Sequence, residues 1–373
     1  MRSSVSIRKD ITIQNVMIQL KDEAERKRDF ISPAPAIILH EDGRTLEISG
    51  GESGSEKESS GRDQGIRSEL LATTDLFHRQ MASTLNIPAK YYDLMQRQKP
   101  ELLAANVNAW MRTRDANYMV RTLDYGTGQT ARALLSDRYR RIDNLEIAMA
   151  VLPLFLGNDQ YEVCSCAVTD NRMYIKITYH LKRYEVVPGD WVEFGIIISN
   201  SEVGLGAVII RPFLTRLVCS NGLVVNDFGE RRHHVGRQAK AVEDSLDLYS
   251  DKALEAEDQA FLLKLQDVAK ATLDESRYPL IIGKLQESTM MPITGRVTDV
   301  VELTAKEYGF NQTEQESILD YLIRGGDMSL YGLSNAVTRA SQELESYDRA
   351  TEFESLGYSI ATMDPARWRE MNR

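Results

Sequence analysis

Three arginine clusters set among aromatic rings are the parts of this sequence best equipped for chemistry. Ser136-Asp137-Arg138-Tyr139-Arg140-Arg141 places three arginines around one tyrosine, and Arg211 and Arg216 flank Phe213. Arg231-Arg232-His233-His234-Val235-Gly236-Arg237-Gln238-Ala239-Lys240 adds four firm positive charges and two histidines. A guanidinium grips phosphate with two parallel hydrogen bonds and also stacks on planar rings, so the pattern points to a polyanion. Residues 172–182 sharpen this. Met173, Ile175, Ile177, Tyr179 and Leu181 alternate with Arg172, Tyr174, Lys176, Thr178, His180 and Lys182. Successive side chains of a strand point to opposite faces, so the second set forms a basic face with an aromatic ring and no acid. Single-stranded nucleic acid suits such a face, because cations follow the phosphates and exposed rings stack on bases of any sequence. The solvated outer face of a half-buried sheet has a similar composition. The candidate nucleic-acid contacts are Arg138, Tyr139, Arg140, Arg141, Arg172, Tyr174, Lys176, Arg211, Arg216, Arg231, Arg232 and Arg237.

The charge distribution places these residues on a distinct part of the chain. The 373 residues carry a net charge of −10, from 45 Lys+Arg and 55 Asp+Glu. Residues 1–111 are near neutral at −1, residues 112–240 carry +3, and residues 241–373 carry −12. A basic centre beside an acidic end suggests a polyanion-facing core with a soluble flank. With 42 % hydrophobic and 27 % charged residues the composition is that of a globular protein, not a disordered chain. No run reaches the ~20 apolar residues of a membrane helix. Met1-Arg2-Ser3-Ser4-Val5 lacks the apolar stretch of a secretory signal, and three cysteines make no disulfide framework, so a reducing cytoplasm is expected.

The elements that must position the arginines read as α+β. Short strands are expected at 11–20, 36–39 and 45–48, followed by a flexible linker over 50–65, which lacks apolar residues. Helices follow from a Thr74 or Asp75 cap to Leu85, from Pro88, and from Pro100 to Met111. Strands at 117–124 and 129–136 flank Tyr125-Gly126-Thr127-Gly128, which has the glycines of a hairpin turn. A helix capped by Asp143 precedes strands at 161–168, 172–181, 191–199 and 207–217. Their short linkers favour antiparallel pairing. From about Lys240 the periodicity is helical, over 241–273, 297–308, 313–322 and 329–344. The expected architecture is an antiparallel sheet, a β-meander followed by a helix, flanked by N-terminal helices and a helical C-terminal region. The expected divisions are a strand-rich segment (1–49), the linker (50–65), a helical segment (66–115), the basic α+β core (116–240) and the acidic helical region (241–373).

Other chemistries find less support. Cys164 and Cys166, two apart on one strand, would share a face, and Cys219, His233 and His234 could complete a zinc set, but the paired spacing of structural zinc sites is missing. Neither Gly204-Leu205-Gly206 nor the 125–128 turn is followed by Gly-Lys-Ser/Thr, so no phosphate-cradling loop is expected and no cofactor is assigned. Residues 75–98 read as helix, tight turn, helix, either a helix-turn-helix with Lys90, Gln96 and Arg97 on its second helix or a plain helical hairpin packed on the sheet.

Several longer stretches carry a resemblance. They are His78-Arg79-Gln80 with Asn86-Ile87-Pro88-Ala89-Lys90-Tyr91-Tyr92, Pro100-Glu101-Leu102-Leu103-Ala104 with Asn108-Ala109-Trp110, and Ala133-Leu134-Leu135 through Asp143. Arg216-Leu217-Val218-Cys219-Ser220-Asn221-Gly222-Leu223, Arg232-His233-His234-Val235-Gly236 and Leu333-Ser334-Asn335-Ala336-Val337-Thr338 complete the set. Together they resemble a phage- and plasmid-encoded family of conserved proteins known only as a domain of unknown function. The order of strands and helix also resembles the core of phage single-strand annealing proteins, a likeness of fold alone. That second resemblance implies a ring or filament of identical subunits holding one DNA strand, with a phage exonuclease or a single-strand-binding protein as partner and no membrane. The expected function is non-enzymatic, ATP-independent binding and annealing of single-stranded DNA. A duplex-binding helix-turn-helix regulator or replication accessory, and a protein-binding anti-defence module with an acidic surface, are the alternatives.

Overall fold

The computed structural model describes residues 12–49, 52–53, 68–139, 141–218, 221–226, 230–232 and 251–372. It confirms the α+β class and divides the strands of the described residues between two sheets. In the first half of the chain, α1 (Ile13–Glu25) precedes β1 (Lys27–Pro33), β2 (Ile37–Leu39), β3 (Thr45–Ser49), β4 (Glu52–Ser53) and β5 (Ser68–Thr73). Helices α2 (Asp75–Thr84), α3 (Ala89–Gln98) and α4 (Pro100–Arg112) lead to the hairpin β6 (Asn117–Asp124) and β7 (Gln129–Ser136). After α5 (Asn144–Val151) come β8 (Tyr161–Val168), β9 (Met173–Val187), β10 (Asp190–Asn200), β11 (Val208–Arg216), β12 (Asn221–Val224) and β13 (Glu230–Arg232). The rest is helical: α6 (Asp251–Thr272), α7 (Tyr278–Thr289), α8 (Val297–Tyr308), α9 (Gln312–Gly325), α10 (Leu330–Ala340), α11 (Tyr347–Ala361) and α12 (Pro365–Met371).

The first sheet runs β2-β3-β5-β7-β6-β1-β4 and the second runs β12-β11-β10-β9-β8, with β13 also on β11. The hairpin at 117–136 therefore belongs with the N-terminal strands, and the division expected near residue 116 falls inside the first sheet. Its turn forms as its residues require. Gly126 and Gly128 hold φ of 90° and 109°, and their N–H groups donate to Asp124 Oδ1 at 2.7 and 3.1 Å. The strand expected at 11–20 is instead α1. Thr12 Oγ1 caps it by accepting from Asn15 N–H, and Ile13, Val16 and Leu20 recur at helical spacing and are buried. The β-branched composition of this stretch yields to a core that a helical stripe fills better. Of the linker expected over 50–65, Glu52 and Ser53 pair with β1 and the rest lies outside the described residues.

Helices α2, α3 and α4 cover one face of the first sheet and share a core with it that includes Phe77, Met81, Tyr92, Leu103 and Val107. Helices α1, α5 and α6 cover part of one face of the second sheet through Ile175, Ile177, Ile196 and Ile198. Further along that face, Val192, Phe194 and Leu214 pack on Tyr278 and Ile281 of α7, with Phe194 and Tyr278 stacked 3.8 Å apart. No helix among the described residues is long and apolar enough to cross a membrane.

A buried charge cluster joins the two sheets. The segment after β10 carries Glu202 into the joint, where Oε1 meets Lys27 Nζ at 2.6 Å and accepts from Asn144 N–H at 2.7 Å. Arg132 lies 3.2 Å from its Oε2, while fully buried Arg121 reaches Asp143 at 2.6 Å and Asp29 at 3.1 Å. Burial alone would raise the Glu202 carboxyl, but Lys27, Arg132 and Arg121 outweigh it and hold the group far below the usual range.

Candidate nucleic-acid interface

The expected contacts that lie among the described residues are dispersed. Arg138 is exposed on the turn after β7. Arg141 is partly exposed and lies 3.8 Å from Asp29. Tyr139, between them, turns inward: its hydroxyl donates to Ser201 O at 3.2 Å, and burial pushes that hydroxyl up to about 12. Arg172 donates to Ser199 Oγ at 2.9 Å and to Leu205 O at 3.1 Å, and so pins the segment after β10. Arg211 donates to Asn226 Oδ1 at 2.8 Å, and Asn226 in turn donates to Ser355 O and Ser359 Oγ on α11. Arg231 and Arg232 lie on β13, where their backbone pairs with Ile209 and Val208. Arg140 and Arg237 lie outside the described residues.

The expected open face of β9 is covered, which corrects the placement of Tyr174 and Lys176. Both are buried, at 5 % exposure each. The reason lies in the neighbouring strands: Lys176 sits opposite Ile197, Tyr174 opposite Ala167, and Phe213 opposite Val224. One strand of this face is basic, but the face as a whole is apolar and must be buried. Helix α11 does this. Tyr347 packs on Tyr174 at 5.3 Å between ring centroids, and Glu354 receives Lys176 Nζ at 2.8 and 2.6 Å. The ammonium also lies 4.9 Å from the Tyr347 ring centroid and 5.3 Å from that of Phe213. Burial alone would lower the Lys176 ammonium, but the Glu354 carboxylate outweighs it and raises the group. As placed, neither side chain reaches a nucleic-acid strand. The helix is fitted closely, since a Cβ on Gly222 would come within 2.3 Å of Glu354 Oε1.

Beyond α11 the same face opens. Register shifts where β9 meets β10, between Glu193 and Phe194, bring Arg183 opposite Glu193 and Glu185 opposite Trp191. Arg183 Nε donates to Glu193 Oε1 at 2.9 Å, which fixes the guanidinium while 56 % of the side chain remains exposed. Trp191 is 41 % exposed, and its carbonyl accepts from Leu217 N–H at 2.9 Å. Arg183, Gly189, Trp191, Leu217 and Val218 line an open cavity of about 440 Å3. One residue earlier, Arg216 turns to the other side of β11, where its Nε donates to Asp190 at 2.7 and 2.8 Å and its guanidinium lies over the Tyr331 ring. There it joins Arg324 and Arg339 in lining a second cavity, of about 270 Å3, against α9 and α10. A flat ring beside a fixed, outward guanidinium can stack a base and hold its phosphate. The sequence offered a sign of this site in Trp191, an aromatic residue beside the turn Pro188-Gly189-Asp190, with Arg183 across the hairpin.

The remaining sequence signals resolve structurally. Cys164 and Cys166 do not share a face, because β8 bulges between Val163 and Ser165: Cys166 packs with Ile175 and Ile177, and Cys164 on the side of Tyr174 and Tyr347. Burial pushes both thiols up to about 12. Cys219, His233 and His234 lie outside the described residues, among which no three potential metal ligands gather. In the α2–α3 pair, Asn86 adopts φ of 54° in the tight turn, and Tyr92 and Met95 of α3 are buried in the first core. His78 Nδ1 accepts from Tyr92 Oη at 2.9 Å, while Nε2 donates to Thr73 Oγ1 at 2.8 Å, whose own hydrogen goes to Arg44 O. Burial lowers His78 to about 4, so the ring is neutral and links both helices to the sheet. Gln96 donates to Gly43 O at 3.3 Å, and Lys90 and Arg97 remain on the outer side.

A family model described as a domain of unknown function (DUF932) matches residues 132–282, which agrees over that range with the domain-of-unknown-function resemblance of the sequence. No curated protein and no solved structure matches the chain. The matched range contains Arg183, Trp191 and Arg216 and ends before α8. Glu354 and Tyr347, which close the face, and Arg324 and Arg339 lie outside it.

Proposed function

We propose that this chain binds single-stranded nucleic acid as a non-enzymatic, ATP-independent protein, at the open end of the second sheet. One observation carries the reading: Arg183, fixed through Nε by Glu193, stands beside half-exposed Trp191 in an open cavity. The ring stacks a base, the guanidinium takes an adjoining phosphate, and exposed Leu217 and Val218 give further bases an apolar rest. Arg138 and Arg141 add a separate basic point on the turn after β7. The finer reading is annealing of complementary DNA strands by a homo-oligomer of a phage or plasmid. The resemblance to mobile-element proteins and the antiparallel order of β8 to β12 support it.

The test is fluorescence anisotropy of a labelled strand of ~40 nucleotides, with a salt titration and unlabelled duplex as competitor. The expected result is salt-sensitive binding that prefers the single strand and weakens in Trp191→Ala. Preference for duplex would transfer the function to α2 and α3. An absence of binding to both at low salt would overturn the proposal and favour a protein partner. Annealing is then read from complementary strands mixed without ATP.

A further inference from the structure

The outermost strands of the two sheets are closed to different degrees. In the first sheet β2 has three residues, and Asn108 of α4 takes its outer side. Asn108 Oδ1 accepts from Leu39 N–H at 2.9 Å, and Nδ2 donates to Leu39 O at 2.8 Å. The opposite end, β4, has two residues. In the second sheet β12 and β13 have four and three. Strand β8 has eight, and among the described residues β9 is its one strand partner. Short edges, blocked edges, edge lysines and prolines keep sheets from pairing with one another. β8 contains no lysine, arginine or proline, and Glu162 is its one charged residue. Its bulge lies between Val163 and Ser165, so Ser165 to Val168 run in regular register with Lys176 to Met173.

We infer that β8 pairs antiparallel with β8 of a second copy of this chain, which joins two second sheets into one. An open edge presents backbone N–H and C=O groups in a row, and another extended strand satisfies such a row. The chemistry of this edge selects a copy. Ser165-Cys166-Ala167-Val168 is uncharged, so two of these stretches meet antiparallel with no like charges opposed. With the two-fold axis between Cys166 and Ala167, the two Glu162 side chains lie at opposite ends, on the order of 30 Å apart at about 3.4 Å per residue. The strand is also held in place on both faces. Cys166 packs with Ile175 and Ile177 on the side of α1, and Ala167 lies with Tyr174 and Tyr347 on the side of α11. Ser165 Oγ and Tyr347 Oη are hydrogen-bonded at 2.6 Å. A strand already fixed loses little further freedom on pairing. The inference deepens the homo-oligomer of the proposed function by giving it a contact, and it does not require nucleic acid.

Sedimentation velocity of the full chain without nucleic acid, from about 0.1 to 100 µM, tests it together with hydrogen exchange read by mass spectrometry. A dimer is expected, with amide exchange over residues 161–168 slowing as the dimer forms. A monomer throughout overturns the inference and leaves the edge to an extended peptide of another protein. So does a dimer in which that exchange is unchanged, or an odd-numbered assembly, because a two-fold edge joins copies in pairs. Val168→Lys places a cation at the end of the regular stretch, on a partly exposed side chain. It is expected to weaken dimerisation at least about tenfold. Wild-type dimerisation by the folded variant would refute the pairing, and should the variant unfold, the exchange of the wild-type chain decides. Strand anisotropy on the same samples keeps the two readings apart. A β8-paired dimer that binds no nucleic acid leaves this inference standing and removes the proposed function, and a monomer that binds a single strand does the reverse.

Discussion

The face that β9 shares with β10 and β11 has two parts built from the same kinds of side chain. Under α11, Lys176 meets Glu354 and both rings beside it, Tyr174 and Tyr347, are buried. At the far end, Arg183 meets Glu193 and the ring beside it, Trp191, is half-exposed. A cation, an acid and an aromatic ring are present in both places. Cover decides between them: in the first the pair is desolvated and holds a helix in place, and in the second it fixes a cation that still faces water. A buried pair is costly to break, while an exposed one contributes little to stability and leaves its donors for another partner.

Removing one charge from the covered pair gives the largest expected effect. Glu354→Ala strands the Lys176 ammonium among rings and should destabilise the fold by about 3–5 kcal/mol in chemical denaturation. Replacing both partners, Lys176→Met with Glu354→Leu, should recover most of that loss. In both variants strand affinity stays at the wild-type value once the protein is folded. A gain in affinity would mean that the covered half is a binding face in reserve.

Acid separates both halves from the α2–α3 pair. His78 titrates near its ordinary 6.5 in the unfolded chain and near 4 in the fold, so between these values the unfolded chain holds more protons and stability falls as pH drops. About 3 kcal/mol should be lost between pH 6.5 and 4, read from denaturation midpoints, and His78→Gln should flatten that slope. Just above pH 5 the strand is still expected to bind, since stacking on the Trp191 ring involves no proton.

At the open end the effects fall on binding. Trp191→Ala should weaken a single strand by about 1–3 kcal/mol, measured by anisotropy, with a small change in stability. A loss of stability without a loss of affinity would place Trp191 with the covered rings. Arg183→Gln should give the smallest change, a few-fold in affinity with the salt slope reduced by about 1. An unchanged slope would remove Arg183 from the phosphate path.

Much of the fold was legible in order and type. The hairpin turn with Gly126 and Gly128, the Thr74 cap of α2, the helix 297–308 and the antiparallel sequence β8 to β11 lie where residues of those types require them. Residues 11–20 were not, because β-branched side chains and a helical stripe coincide there, and only packing against the second sheet separates them. Cys164 and Cys166 were misplaced by a single bulge, which reverses a face without leaving a mark on composition. The site was legible in chemistry and not in place. Arg216 lines a cavity, but Arg172, Tyr139 and Lys176 hold backbone, loop and helix.

The sequence by itself determined the charge division, the α+β class and the concentration of arginine and aromatic residues in the middle of the chain. These are local quantities, fixed by residue type and by periods of a few residues. Tertiary structure alone decided which of those residues meet water. Burial of a strand face depends on the strands beside it and on whatever lies across it. For Lys176 these are Ile197, opposite it on β10, and Glu354, 178 residues away in sequence.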